Sequence, residues 1–213
     1  MTNKYLTDNY GWKNKKPCES YSYLGPLIIS ILKKLKVKRV LDLGSGNGSF
    51  ANALYQEGFY VVGIDGDKNG VNLSKKAFPW IKFFNLDIEK EQQKINLSRI
   101  GKFDAIVSLE VIEHLYSPHK LIKLSDQLLL KKGSLIISTP FHGYLKNLLI
   151  SILDGWDFHF TSLWHGGHIK FWSKKTITML LESNKFKVRS FNGAGRLPFL
   201  WKSMVIRAVK DDS

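Results

Sequence analysis

The sequence predicts an α/β fold, a doubly wound, mostly parallel seven-stranded sheet that carries a helical, aromatic insertion. Three observations predict it. Short apolar runs alternate with helical periodicities between residues 40 and 139, the pattern of right-handed βαβ units. The first of these runs leads directly into Gly44-Ser45-Gly46-Asn47-Gly48, a glycine-rich turn between strand and helix. Carboxylates recur at or just beyond the ends of successive strands, at Asp65, Asp87 and Glu110. With 213 residues, 44% of them hydrophobic and 13% aromatic, the chain has material for one buried core, so one domain over residues 1–213 is expected.

Residues 1–20 are polar, with Tyr10 and Trp12 interspersed, and read as a loosely ordered lead-in. Residues 24–35 are apolar with lysines entering late, as in a helix that ends near Lys36. A strand at 40–43 meets the glycine turn, and residues 49–57 place Phe50, Ala53 and Leu54 at helical spacing before Gly58 stops them. Strands follow at 60–64, 81–85 and 103–108, with a helix at 72–77 between the first two. Ser117 is a candidate N-cap with Pro118 at the first helical position. A fifth strand at 134–139 follows Lys132-Gly133. A helix at 176–182 and strands at 186–191 and 204–209 complete the pattern. Residues 141–172 interrupt the alternation and form the insertion.

The 32 Lys+Arg outnumber the 18 Asp+Glu, for a net charge of +14. Such a field attracts polyanions or an acidic substrate, although lysines also serve simply to solvate a surface. The densest cluster is Lys33, Lys34, Lys36, Lys38 and Arg39, where cations also suit a helix C-terminus. A lone cysteine, Cys18, excludes an internal disulfide. The first residues lack the features of a signal peptide, and the most apolar stretches, 24–32 and 144–153, fall short of the ~20 residues of a membrane span. A cytoplasmic protein is expected, in contact with membrane only peripherally if at all.

In doubly wound sheets a ligand binds at the carboxyl ends of the strands. Glycines at 44, 46 and 48 permit a tight turn and close approach of a ligand. Asp65 stands 17 residues after Gly48, where an acid can bridge a ribose diol. Asp87 with Ile88 suits an adenine amino group and ring. Nicotinamide enzymes share such a loop and acid, but Asp42, two residues before Gly44, would repel their pyrophosphate, and Ser49 stands where their fingerprint has another glycine. S-adenosyl-L-methionine has no phosphate; its ammonium and sulfonium are attracted by Asp42 and Glu110. Asp42 as a plain turn residue is the bland alternative. Tyr116 and Lys120 match a dehydrogenase Tyr-x-x-x-Lys by spacing, but Pro118 lies between them, and chance is the better account.

Val40-Leu-Asp-Leu-Gly-Ser-Gly-Asn-Gly48, Val62-Gly-Ile-Asp65, Asn85-Leu-Asp87 and the run from Phe103 to Leu115 resemble, in order, the motifs of class I S-adenosylmethionine-dependent methyltransferases. The likeness extends over about residues 35–210 and is strongest to the ubiquinone-pathway O-methyltransferase branch. It includes Gly167-His-Ile-Lys-Phe-Trp-Ser and Leu180-Leu-Glu-Ser-Asn-Lys-Phe186, with Lys185 where a glycine is usual. The resemblance implies a Rossmann-like methyltransferase fold in which Asp42, Gly44, Ser45 and Gly46 hold the methionine part. It also implies that Asp65, with Gly66 beside it, takes the ribose, that Asp87 and Ile88 take the adenine, and that Leu109 and Glu110 line the sulfonium end.

Displacement at a sulfonium chiefly needs the acceptor at near-attack distance, and a hydroxyl acceptor also needs a base. His114, after Glu113 and just past the fourth strand, is the candidate base or orienter, with Glu110 or Glu113 fixing its tautomer; a capping histidine is the alternative. His142, His159, His165 and His168 lie in the insertion with Trp156, Trp164 and Trp172, an expected acceptor lid from which His168 is the third catalytic candidate. For at least half of its aromatics, simple core packing is the favoured reading. Asp154 and Asp157 are the only acids near His165 and His168, so no metal site is expected, while dependence on a divalent ion stays open. Leu145, Leu148, Leu149 and Ile152 share a helical face, expected to be buried, with docking on anionic membrane as the sharper alternative. The acceptor is expected to be small or lipid-like and methylated at oxygen. The rival reading, a nucleic-acid modifier drawn from the +14 charge, lacks the Asn/Asp-Pro-Pro-Tyr pattern of base methylation. A catalytically silent cofactor binder and a nicotinamide oxidoreductase rank behind it.

Overall fold

In a computed structural model, residues 11–90, 97–160 and 166–211 are described, with the side chain of Phe158 left aside. The expectations for Tyr10, Trp164 and His165 lie outside them.

Seven strands form one sheet: β1 (Arg39–Leu43), β2 (Tyr60–Asp65), β3 (Lys82–Asn85), β4 (Phe103–Leu109), β5 (Leu129–Pro140), β6 (Phe186–Ala194) and β7 (Ser203–Lys210). Their spatial order is β3-β2-β1-β4-β5-β7-β6, and only β7 runs antiparallel to its neighbours. The chain leaves β1 toward β2 on one side and later returns to β4 on the other. β1 and β4 therefore flank the topological switch point, where a crevice opens at the carboxyl ends of the strands.

Helices α1 (Tyr21–Lys34), α2 (Ser49–Gln56) and α3 (Lys68–Ala77) bury Leu24, Ile28, Leu32, Leu54 and Val71 in the core on one face of the sheet. Helices α4 (Pro118–Leu128) and α7 (Lys174–Glu182) bury Leu121, Ile122, Ile177 and Leu181 in the core on the other. Between β5 and α7 stand the short helices α5 (Tyr144–Ile152) and α6 (Trp156–Phe160).

Several boundaries differ from expectation for physical reasons. α3 begins at Lys68 rather than 72, because the Asp67 side chain accepts from the Asn69 amide and caps it. Ser117 does sit at the N-cap of α4, but its side chain makes no capping bond; its amide donates to Glu89 Oε1 at 2.7 Å. The lead-in is pinned where it is described. Asn47 in the glycine loop donates its side-chain amide to the carbonyls of Asn14 and Lys16 at 2.9 and 2.8 Å. The Trp12 ring lies so close to Gly46 that a Cβ there would come within 2.4 Å of it.

Asn47→Ala removes both bonds. It should speed amide exchange in residues 12–20 while lowering global stability by only about 1–3 kcal/mol, the worth of a few net hydrogen bonds. Exchange unchanged in that segment would show that Asn47 does not hold it.

Candidate active site

The glycine loop is shaped by backbone demands. Gly44, Gly46 and Gly48 have φ of +90°, +51° and +77°, a region that residues bearing a Cβ rarely adopt. A Cβ on Gly44 would lie 2.3 Å from a Val111 methyl. The amides of Gly44 and Ser45 both donate to the Ile64 carbonyl, at 2.8 and 2.9 Å, fastening the loop to β2. Asp65 completes the fastening: its Oδ2 accepts from the Gly46 amide and its Oδ1 from the Asp67 amide, each at 2.7 Å.

A cavity of about 920 Å³ opens here and is lined by all ten residues expected to touch the cofactor: Asp42, Gly44, Ser45, Gly46, Asp65, Gly66, Asp87, Ile88, Leu109 and Glu110. Trp12, Tyr21, His114 and His168 also line it. The acids are buried. Asp42 is 3% exposed, and its Oδ2 has no hydrogen-bond partner. Burial and the neighbouring Asp65 charge push its carboxyl up to about 8, against the pull of the Ala51 amide. Asp65 is raised too, by burial, against its two amide bonds. Asp87 Oδ1 accepts from the Glu89 amide at 3.0 Å, and its Oδ2 lies 3.3 Å from Lys90 Nζ. Such a cluster of desolvated carboxyls suits a cation and repels a phosphate.

Past β4 the chain turns sharply. Glu110 takes φ +55°, aiming its carboxylate at two hydroxyls: Ser138 donates to Oε1 at 2.7 Å and Ser203 to Oε2 at 3.1 Å. Burial raises Glu110 to about 7, opposed by these bonds and by the Lys146 charge. A 3₁₀ turn, Ile112–His114, follows. Glu113 is 1% exposed; Thr139 donates to its Oε2 at 3.0 Å, while Oε1 is unpartnered. Burial, then the Glu110 charge, hold it well above the usual carboxylate range. Its carbonyl accepts the amides of Ile169 and Lys170, both at 3.0 Å. Those two bonds bring residues 166–172 against the turn, and with them His168, whose ring centroid lies 5.0 Å from that of His114.

His114 Nδ1 lies 3.1 Å from the Gly167 carbonyl. A carbonyl can only accept, so the proton sits on Nδ1 and Nε2 is the basic nitrogen. The tautomer is thus fixed by a backbone carbonyl and not by Glu110 or Glu113 as expected; Glu113 Oε1 stands 3.9 Å from Nε2. Burial lowers His114 and takes His168 down to about 4, with His114, His159 and Lys146 adding to the latter, so both rings are neutral at pH 7. One ligand atom from each of Glu113, His114 and His168 falls within 4.8 Å of the others. Two nitrogens and a buried carboxylate oxygen converge there, a donor set suited to a divalent cation although no metal site is expected from the sequence. His168 finds these partners across the fold rather than Asp154 and Asp157 beside it in sequence.

The segment between β5 and α7 departs from expectation twice. The face of α5 is not buried: Leu148, Leu149 and Ile152 are 39%, 40% and 68% exposed, and Leu145 is exposed with them. Its buried residue is Lys146, at 6%, which sequence reasoning missed. Burial, helped by Arg196 and opposed by Glu110, lowers this ammonium to about 8. His142 and His159 pack on Phe160, with ring centroids at 5.8 and 4.8 Å. Tyr116 is 78% exposed, while Lys120 bonds the Glu89 carbonyl at 2.7 Å, so the dehydrogenase-like spacing builds nothing.

A seven-stranded sheet with this order and an acid-rich, glycine-looped crevice at its switch point is the architecture of a nucleoside-binding transferase. The family described as a methyltransferase domain matches residues 15–190. The chain belongs to that family and is a class I S-adenosylmethionine-dependent methyltransferase. The ubiquinone biosynthesis O-methyltransferase of Coxiella burnetii is 27% identical over 164 residues, covering 75% of this chain and 68% of the relative. Among solved structures, the magnesium protoporphyrin IX methyltransferase of Synechocystis aligns with a TM-score of 0.66 at 19% identity, over 88% of this chain and 82% of that one. The methyltransferase domain of bacterial-CtHen1-C gives a TM-score of 0.66 at 21% identity, over 88% and 97%.

Asp42 yields a pH test. Its carboxyl holds a proton in the fold up to about pH 8, whereas in the unfolded chain it loses it near the ordinary value of 3.8. The folded state therefore binds the extra proton between these values, and this residue's contribution to stability falls as pH rises through that window. Denaturant melts of the ligand-free protein should show Asp42→Asn gaining more stability over wild type at pH 8 than at pH 5; an equal effect at both would refute the buried, protonated carboxyl.

Proposed function

We propose that the protein transfers the methyl group of S-adenosylmethionine to a hydroxyl oxygen of a small or lipid-like acceptor. Asp65 takes the ribose, Gly66 lies beside it, and Asp87 and Ile88 take the adenine. Asp42, Gly44, Ser45 and Gly46 hold the methionine part, and Leu109 and Glu110 meet the sulfonium. The observation that carries the oxygen-directed reading is the meeting of His114 and His168, both neutral, beside buried Glu113 at the wall of the cofactor cavity. A phenol near pKa ~10 is mostly protonated at pH 7, so a neutral imidazole Nε2 at that wall supplies the base that such an acceptor needs. The name of the Coxiella relative, an O-methyltransferase, agrees with this.

Glu113, His114 and His168 also fit a divalent cation, since Glu113 Oε1 is buried without a partner and faces the two rings. Bound there, a cation would occupy His114 Nε2 in place of its role as base and would polarise the acceptor hydroxyl to ease its deprotonation. The chain's own groups do the rest. Gly167 orients His114, Thr139 and the backbone bonds to Ile169 and Lys170 seat Glu113, and residues 141–160 and 166–172 cover the acceptor as a lid.

The exposed face of α5 supports an acceptor gathered from an anionic bilayer. Leu145, Leu148, Leu149 and Ile152 form an apolar face, and the Arg196 charge acts on Lys146 of the same helix, with Leu197 and Phe199, both exposed, following Arg196 in the chain. Apolar side chains beside a cation are the elements of interfacial docking. No helix among the described residues is long and apolar enough to cross a membrane.

Titration calorimetry with S-adenosylhomocysteine and transfer of labelled methyl to catechol test the assignment. Asp65→Ala should weaken S-adenosylhomocysteine at least about tenfold, ~1.4 kcal/mol. His114→Gln should lower kcat by about 10²–10⁴-fold and leave that affinity nearly unchanged, as loss of a general base does. No binding by wild type would refute the cofactor site, and full turnover by His114→Gln would refute the base. For the bilayer, Leu149→Glu with Ile152→Glu should abolish flotation with vesicles containing phosphatidylglycerol at low salt; wild type that stays at the bottom of the gradient would end the docking reading.

A further inference from the structure

The +14 charge is not explained by the cofactor site, whose lining is acidic. A cluster of cations stands at the opposite end of the sheet, where β1, β4 and β5 begin. There a groove of about 460 Å³ is walled by Lys36 and Lys38 from the α1–β1 connection, Lys131 and Lys132 from the start of β5, and Arg207 from β7. None of these five cations is ion-paired with an acid among the described residues. The one carboxylate in the groove, Asp104, is already engaged: its Oδ2 accepts the amides of Lys38 and Arg39, both at 2.8 Å. Arg207 Nη1 donates to Ser134 Oγ at 3.2 Å, on the groove wall. Burial, with the Arg189 charge beside it, pulls Arg207 below its ordinary value.

The backbone delivers two of the lysines at a cost. Lys36 and Lys132 have φ of +54° and +59°, two of six non-glycine residues with positive φ among the described residues. A side chain disfavours this conformation. β5 pairs Leu129 with Phe103 and then Ser134 with Ala105. Five residues of β5 therefore span two of β4, and 130–133 leave the ladder, lifting Lys131 and Lys132 over the groove. Gly133 is adjacent, yet the left-handed residue is the lysine.

We infer that this groove binds a soluble, phosphate-bearing small molecule, with Lys36, Lys38, Lys131, Lys132 and Arg207 holding the phosphate oxygens. Converging ammonium groups and one guanidinium suit phosphate chemistry. The groove's volume lies within the range of small-molecule sites, ~300–1,000 Å³. A bilayer docked on α5, beyond the carboxyl end of β5, meets the opposite end of the strands and does not supply the ligand.

The test titrates the full chain with inorganic pyrophosphate at constant ionic strength. Wild type should bind saturably, one per chain. Lys132→Gly with Arg207→Gln should weaken binding at least about tenfold, while S-adenosylhomocysteine affinity stays the same. Lys132→Gly alone should raise the unfolding midpoint, because glycine relieves the left-handed backbone, and still weaken pyrophosphate; this separates loss of the site from loss of the fold. Absence of saturable binding by wild type, or equal binding by the double variant, overturns the proposal. So does a preference for phosphatidic-acid vesicles or a short RNA over pyrophosphate that the same two substitutions abolish.

Discussion

Carboxyl groups buried at the point where the strand order reverses are the constraint on which the rest of the molecule depends. Asp65 fixes the glycine loop by accepting the Gly46 and Asp67 amides, and the loop in turn packs against Val111 and Trp12 only because Gly44 and Gly46 lack side chains. Asp42 sits buried with one oxygen unsatisfied. Burial holds Asp42 protonated in the ligand-free protein, a cost to its ionisation that a sulfonium and an ammonium relieve. A dinucleotide would worsen it. That asymmetry, more than the glycines, distinguishes this crevice from other doubly wound sites.

The reaction corner is tied to the same strand ends by hydrogen bonds rather than by sequence proximity. Glu113 acts through both its groups. Its carbonyl takes Ile169 and Lys170 and so sets His168 beside His114, while its carboxyl, held by Thr139 of β5, faces the two rings. Glu110, turned by a left-handed backbone, is held by Ser138 of β5 and Ser203 of β7. Two strands, β5 and β7, therefore fix the acids that border the cofactor and acceptor volumes, which gives the site the rigidity that precise positioning needs.

All seven strands were legible because each apolar run is bounded by turn residues, and the cofactor acids were legible because strand ends fall at fixed places in such a sheet. What escaped depended on contacts distant in sequence. The start of β5 at Leu129 was hidden by the lysines of 130–133, which leave the ladder although Leu129 still pairs with Phe103. The polar first turn of α3 concealed a helix that the Asp67 side chain initiates. The periodicity of α5 gave the apolar face correctly, but periodicity says nothing of whether another element covers it; the face is exposed and Lys146 is the buried residue. His168 was picked out as a candidate, whereas its pairing with His114 and Glu113 rests on two backbone bonds that no local pattern announces. Asn47 stood in plain view within the loop motif, yet its hold on Asn14 and Lys16 appears only in three dimensions.

A crystal structure with S-adenosylhomocysteine bound tests the central claim most directly. The account predicts the nucleoside between the ends of β1, β2 and β3, its ribose hydroxyls on Asp65 and its ammonium toward Asp42, with the sulfur facing the His114–His168 pair. A ligand found outside this cavity, or one whose ribose makes no contact with Asp65, would contradict it.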